Sequence, residues 1–498
     1  MTLRNLRTLP KDDGGAIIVF WAVCLVVVLG IVALSFDIGQ KAATQSELQS
    51  YADQVALAAA GELDGKSDAI TRATNAAASL IIDQQTFATG TRALAGSSDY
   101  TLTFYRALPG SDTASIDPGV TIIAAEARYA RARVVPRTVP FSFTGAFDVL
   151  RGGTTANPTI GAVAVAGFTQ FACDITPLMF CIPSPGLTAN DNIGKMILLR
   201  SGGSGAAWGP GDFGFLDLAT AGLDSAGPCA GLNGAPQTRC LIAATGALTQ
   251  CFSQRGVDTE PGQKVGIANS GYNVRFDLYA GAMGSNAIRT NPNYAPAPNV
   301  IKGMKPGTTG PRGGVCDQVV APETASLPRD NCFRPTNTCA NGGRFGDGNW
   351  SDATYGRPNY VSKNYGGTDP HPAATTRYAY YKAEIAAHGG GASTARILPI
   401  TEPETGRPQC SPNQSPDPDR RVVIAAGINC DLANGGTEIN GRETGVPVQE
   451  FVKLFFTEPV GPASGSNTFD IFVEVVGSAE TGSSGTGGIF HDVVQLYR

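Results

Sequence analysis

The sequence has 498 residues, enough for two or three domains and a sizeable core, yet only 16% of them are charged, below the ordinary level of about 25%. Its 62 glycines and 33 prolines point to many turns and loops. The net charge is −5 with no basic block beyond the first residues, which excludes an evident nucleic-acid partner.

Arg4, Arg7 and Lys11 precede the run GGAIIVFWAVCLVVVLGIVALSF at 14–36, which carries no charge over 23 residues. At about 1.5 Å per residue a helix of this length spans the hydrocarbon core of a bilayer. The basic residues before it keep residues 1–13 in the cytoplasm by the positive-inside rule. The core of a signal peptide is shorter, about 7–15 residues, so a retained transmembrane helix is expected. Ala33, Leu34 and Ser35 offer a small-x-small cleavage site as the competing reading.

Residues 37–85 read as a helical juxtamembrane region. Leu48, Tyr51, Ala52, Val55, Ala58, Ala59 and Leu63 recur in steps of three and four, and no glycine or proline interrupts 40–60. The membrane helix is therefore expected to continue into a long amphipathic helix. Alanines bury little area but let another backbone approach closely. The candidate partner-contact residues are Asp37 and Gly39 at the membrane exit, and Leu48, Gln49, Ala52, Asp53 and Ala59 on the helix. The plainer readings are that Asp37 ends the span and that the helix is a stalk.

The Gly14-Gly15 entry, the apolar run, Asp37-Ile38-Gly39, Leu48-Gln49, and Ala52-Asp53 leading into an alanine-rich helix resemble the N-terminal segment of TadG-like proteins of the Flp (tight adherence) pilus system. The resemblance covers about the first 60 residues, and more weakly FACDITPLMFCIP and the stretch from RRVVIAAGINC to FVKLFFTEP. It implies a single-pass inner-membrane protein with a periplasmic ectodomain that serves pilus biogenesis. Two features depart from the pattern. Pilins of this system carry Glu at the fifth position after the glycine, where this chain has Val19 or Phe20, so prepilin cleavage is not expected. Many relatives carry a von Willebrand A domain with a D-x-S-x-S metal loop. The nearest stretch here is Asp174-Ile175-Thr176-Pro177-Leu178, where Leu178 offers no oxygen ligand.

Ser67 to Gln85 reads as helix. From Tyr100 the period changes to two, and YTLTFYRAL, TIIAAEARYARARVV, TVPFSF and TIGAVAVAGF define a β-rich region over 100–189. Arg128, Arg131 and Arg133 read as a solvated strand face rather than an anion site. Residues 190–372 form a cysteine- and turn-rich region, expected to be short strands and turns held by disulfides. In it, Asp347, Asn349 and Asp352 read as turn formers rather than calcium ligands, since no downstream Glu completes a loop. Residues 373–498 close the chain with three apolar strands, expected to be central in a sheet. Phe469, Ile471, Val473 and Val475 share one face of the last. The fold class expected is α+β: an N-terminal transmembrane helix continuing into a long amphipathic helix, followed by a β-rich, disulfide-stabilised ectodomain.

Cys24 lies in the apolar run. The other ten cysteines are Cys173, Cys181, Cys229, Cys240, Cys251, Cys316, Cys332, Cys339, Cys410 and Cys430. Their even number points to five disulfides formed in an oxidising compartment. Zinc is the competing reading, but no C-x2-C pair occurs and His371, His388 and His491 stand apart. The pairing stays open. If all ten pair, the triplets 229/240/251 and 316/332/339 must each send at least one bridge outside themselves.

No H-E-x-x-H and no G-x-S-x-G occurs, and GELDGKS at 61–67 is one residue short of a P-loop. The sequence therefore predicts no enzyme, no cofactor, no metal and no small-molecule substrate. It predicts a membrane-anchored component of a Tad/Flp-type pilus assembly apparatus. Such a protein acts through protein contacts in the periplasm, with the inner membrane and other pilus-assembly proteins or pilus subunits as partners. The alternative is a secreted or anchored extracytoplasmic hydrolase with a site in the cysteine-rich region, which needs an acid, a base and a nucleophile brought together by folding.

Overall fold

A computed structural model of the protein describes residues 14–109, 111, 114–145, 152, 156–173, 175–184, 186–201, 208–218, 227–245, 251–253, 256–260, 270–307, 316–389, 395–399, 404–462, 469–479 and 489–497. The chain divides into two compact units, Met1–Thr169 with Asp492–Arg498, and Gln170–His491. The divisions near 190 and 372 drawn from composition both fall inside the second unit.

The first unit is built on helix α1 (Gly14–Ala60), which runs unbroken through 47 residues, about 70 Å at 1.5 Å per residue. The transmembrane stretch and the amphipathic stretch are thus one helix. A tight corner returns the chain to α2 (Ala69–Leu80), which packs on α1. Arg72 holds that corner by pairing with Glu62 at 3.0 Å, Asp64 at 2.6 Å and Asp68 at 3.2 Å. The expected helix over 67–85 ends at Leu80. The following Ile82 opens β1 (Ile82–Gln84), which pairs antiparallel with β2 (Ala93–Ala95). Branching at Cβ and a cross-strand partner outweigh the helical spacing there.

An antiparallel sheet follows: β3 (Tyr100–Tyr105), β4 (Tyr129–Val134) and the first part of β7 (Val163–Cys173), with the pair β5 (Arg137–Thr138) and β6 (Thr159–Ile160) between them in sequence. Strand β4 alternates as its sequence dictates. Ala130 and Ala132 point into the core and Arg131 and Arg133 to the other face, where Arg131 meets Asp117 at 3.5 Å. The core joins Leu48, Tyr51, Ala52, Val55, Ala56, Ala59 and Ala60 of α1 to Ala130, Ala132, Ala164 and Ala166 of the sheet. Alanine faces alanine, which lets helix and sheet approach closely. The stretch TVPFSF, expected to be extended, is not a strand beyond Thr138. Its end, 141–144, is a loop drawn onto α1.

The last residues of the chain return to this unit. The Tyr497 amide donates to the Val165 carbonyl at 2.8 Å, and the Tyr497 ring meets Tyr129 edge-on at 5.2 Å. Gly167 leaves room for both rings, since a Cβ there would sit 2.6 Å from the Tyr129 ring and 2.8 Å from that of Tyr497.

The second unit centres on a closed six-stranded barrel. Around it run β8 (Leu178–Cys181), β15 (Val422–Ile428), β16 (Glu450–Phe456), β18 (Phe469–Ser478), β9 (Met196–Ser201) and β10 (Asp212–Leu216), which bonds back to β8. Two of the junctions, β8 with β15 and β9 with β10, are parallel, and the others are antiparallel. Alternate residues fill the interior: Leu178 and Phe180, Ile197 and Leu199, Phe213 and Phe215, Val423 and Ala425, and Ile471, Val473 and Val475. The three apolar strands that close the sequence are each flanked on both sides, as expected of central strands. Of the short strands, β12 (Thr259–Glu260) pairs with β10 and β17 (Gly461–Pro462) with β18, while β11 (Cys251–Ser253) pairs with the end of β7, and β13 (Met304–Pro306) and β14 (Gln318–Val320) form a separate hairpin.

The stretch 190–372 also contains helices that its turn-rich composition hides: Gly234–Ala243 and Arg357–Tyr365. The second starts with Pro358 in its first turn and stops at Gly366, which takes a left-handed φ of 64°. A further helix, Arg377–Ala387, is capped by the Thr376 hydroxyl.

All ten cysteines beyond the apolar run are bridged: Cys173–Cys251, Cys181–Cys430, Cys229–Cys240, Cys316–Cys410 and Cys332–Cys339. Each triplet sends one bridge outside itself. Cys24 is the free cysteine among the described residues.

Candidate functional site at the membrane-exit helix

Along 18–36 the large apolar side chains of α1 stand in the open, from Trp21 at 67% exposure to Phe36 at 49%. Among the described residues α1 is the one helix long and apolar enough to cross a membrane, and none of its most apolar window is buried within the protein. Water does not tolerate a patch of this size on a soluble protein, and a bilayer does. With five disulfides in the same chain, the helix points to a membrane-anchored extracytoplasmic protein.

Asp37 begins the part of α1 that the protein itself covers. It is buried, and its carboxylate is filled by one loop. The amides of Ser142 and Thr144 donate to it at 3.0 Å and 2.7 Å, the Phe143 amide is shared between its two oxygens at 3.3 Å and 3.2 Å, and the Thr144 hydroxyl donates at 2.6 Å. Burial by itself raises a carboxyl pKa. Here the Thr144 hydroxyl and the three amides outweigh it and hold Asp37 below the ordinary carboxylate value. One residue earlier, the Phe36 ring meets Phe143 edge-on at 5.4 Å.

The other candidate contact residues on α1 also turn inward. Leu48, Ala52 and Ala59 are fully buried against the sheet. The Gln49 amide donates to Asp53 at 2.8 Å and to the Val163 carbonyl at 3.1 Å, so these two polar residues work as a pair at the start of β7. Gly39 is different. It is exposed, and a Cβ added there would meet nothing within 4 Å. The sequence reading missed Gln45, which donates to the Gly161 carbonyl at 3.3 Å, and Glu47, which accepts the Thr86 amide at 2.9 Å and hydroxyl at 2.6 Å. Gln45 lies one turn before Gln49 and Glu47 on another side of the helix, but their partners are 116 and 39 residues away, beyond the reach of a local pattern.

The second unit carries the remaining candidates. Asp347, Asn349 and Asp352 accept backbone amides two or three residues ahead, at 2.8–3.1 Å, and so shape turns. Among the described residues no group of three His, Cys, Asp or Glu side chains could hold a metal ion. Asp174 of the stretch compared with a metal loop lies outside the described residues, while Leu178 of that stretch faces the barrel interior. His371 stacks edge-on with Tyr380 at 5.2 Å, and His388 Nδ1 lies 3.0 Å from the Glu384 carbonyl. The side chain of His491 lies outside the described residues.

Buried charges of this unit are met either by an opposite charge or by neutral hydrogen-bonding groups. Arg377 is enclosed by Asp330 and Glu474, and Glu474 also accepts the amides of Arg377 at 2.9 Å and Tyr378 at 2.8 Å, which caps the helix Arg377–Ala387. Glu384 accepts the hydroxyls of Tyr360 at 2.7 Å and Tyr365 at 2.8 Å and the Asn299 amide at 2.7 Å. Burial dominates over those bonds and pushes its carboxyl up to about 7.

No curated protein and no solved structure matches the chain. Residues 15–62 match a family described as putative Flp pilus-assembly TadE/G-like. The match ends within two residues of the end of α1 and takes in the apolar span, Asp37 and the alanine face. It is this N-terminal helix, and the few residues after it, that the chain shares with the TadE/G-like Flp pilus-assembly family.

Proposed function

We propose that the protein is a single-pass component of a Tad/Flp-type pilus assembly apparatus, with residues 1–13 in the cytoplasm, 14–36 in the inner membrane and the ectodomain in the periplasm. It works by contact and carries out no chemistry of its own. The observation that carries this reading is the coincidence of the TadE/G-like match at 15–62 with α1, a helix exposed and apolar over one half and packed on its own sheet over the other. Three basic residues before the span support the orientation, and disulfides support an oxidising compartment.

Most of the candidate contact residues of α1 are taken up inside the first unit. This favours a role in which α1 presents the ectodomain at a set place on the membrane, and partners bind the lipid-facing helix or the ectodomain surface. Crosslinking in intact cells, followed by capture of the protein from membranes and mass spectrometry, tests the proposal. Recovery of pilus-assembly proteins or pilus subunits is the expected result. Normal pili in a strain lacking the protein, with no such proteins captured, would overturn it. A reporter active only outside the cytoplasm, fused after Arg498, is expected to be active.

A further inference from the structure

We infer that the loop at 141–144 is a second membrane contact: the Phe143 ring enters the lipid beside Phe36, at the rim of the periplasmic leaflet. The inference rests on the reading of α1 as a membrane anchor.

The argument starts from depth. From Gly14 to Phe36 the helix rises about 34 Å at 1.5 Å per residue, slightly more than the roughly 30 Å hydrocarbon core. Phe36 therefore stands where the hydrocarbon ends. Side chains on a helix tilt toward its N-terminus, so the Phe36 ring leans back into the apolar layer. Phe143 meets that ring edge-on at 5.4 Å and so shares its depth. Both rings are 49% exposed, and Val32, one turn before Phe36 and 59% exposed, extends the same apolar surface along the helix. In water these residues would form an open apolar patch. In a bilayer they continue the surface of the span, so the occupant is lipid.

The second argument is the polar chemistry of the loop. A backbone that dips toward hydrocarbon cannot leave its amides unpaired, because no water is there to take them. Three successive amides, of Ser142, Phe143 and Thr144, and the Thr144 hydroxyl all donate to one carboxylate, that of Asp37. Asp37 thus clears the loop of unpaired donors at the one place where it approaches the membrane. One turn further, Lys41 is exposed, at a position to reach lipid headgroups. Two contacts, the helix and the loop, hold the first unit against rotation about the α1 axis, which a lone spanning helix does not do.

The test uses the full chain reconstituted in vesicles of phosphatidylethanolamine and phosphatidylglycerol. A photoreactive benzophenone residue replaces one position at a time: Phe143→benzoylphenylalanine for the loop, Val28→benzoylphenylalanine within the span, and Ile122→benzoylphenylalanine at a side chain 91% exposed elsewhere in the first unit. Illumination is expected to give lipid adducts at 143 and 28 and several-fold less at 122. Adducts at 28 without any at 143, or adducts at 143 only to protein, would overturn the inference and leave the anchor standing. No adduct at either 28 or 143 would overturn both. Hydroxyl-radical footprinting of the unaltered protein in the same vesicles gives an answer independent of any variant. Phe143 is expected to be protected relative to Phe87, which is 38% exposed, and oxidation at an equal rate would overturn the inference.

Discussion

Asp37 and Thr144 are joined twice, through the Thr144 amide at 2.7 Å and its hydroxyl at 2.6 Å. The residue directly after the apolar span therefore holds a loop more than a hundred positions away. This bond ties the ectodomain to the helix at the membrane exit.

Replacing that carboxylate should loosen the loop. Asp37→Ala strands three backbone donors and is expected to cost about 2–4 kcal/mol, as loss of charge-assisted bonds does. Asp37→Asn keeps one acceptor but turns an amide group toward the donors, so it should lose less. Hydrogen exchange at Ser142, Phe143 and Thr144, read by mass spectrometry, is expected to rise in the order wild type, Asn, Ala. The pH dependence has a definite sign. The folded carboxyl lies below its ordinary value, so its contribution is present at neutral pH and is lost as pH falls through that lowered value.

The alanine interface predicts a size threshold. Ala52 and Ala59 sit fully buried opposite Ala130, Ala132, Ala164 and Ala166. Ala52→Leu or Ala59→Leu forces the helix off the sheet and should cost about 1–3 kcal/mol, whereas Ala→Ser at either position should cost less. Thermal melting of the detergent-solubilised protein, followed by amide exchange in β4, measures the difference.

In the second unit, Arg377 carries a fully buried charge between Asp330 and Glu474. Arg377→Met leaves both carboxylates enclosed without their cation. A loss of about 3–5 kcal/mol is expected, large enough to lower the yield of folded protein. Susceptibility to proteolysis at fixed protease concentration reads this directly.

Glu384 predicts a pH dependence of opposite sign to that of Asp37. Its carboxyl is raised from the ordinary range to about 7 in the folded protein. The folded state binds the proton more tightly than the unfolded chain. This contribution is complete below the ordinary carboxylate pKa and is lost as pH rises from there to about 7, by at most about 1.4 kcal/mol per pH unit. Glu384→Gln removes the titration, so the melting temperature should vary less between pH 5 and pH 7.5 than in the wild type.

The disulfides predict a ranking. Cys181–Cys430 closes a separation of 249 residues and Cys332–Cys339 one of 7. Chain entropy assigns about 5 kcal/mol to the first and about 2 kcal/mol to the second. Replacing both cysteines of the long bridge by serine should lower the melting temperature more than the same change in the short one. Thiol labelling of the denatured, unreduced protein is expected to find Cys24.

Much of this protein was legible in its sequence, because the signals concerned are local. A run of uncharged residues, a stripe at helical spacing and three apolar strands of period two report on the side chains nearest to them along the chain. They placed α1, the buried face of Leu48, Ala52 and Ala59, and the strands that close the barrel. The even count of cysteines pointed to bridging, while the pairing had to wait for the fold. Tertiary structure alone decided the rest. Asp37 meets the loop at 142–144, Gln49 meets Val163, and β9 meets both β18 and β10 to close the barrel. The helix end at Leu80 and the helix Arg357–Tyr365 were each governed by a cap or a cross-strand partner that composition does not display. Contacts between residues a hundred or more positions apart follow from how the chain folds back on itself, and no periodicity along the sequence records them.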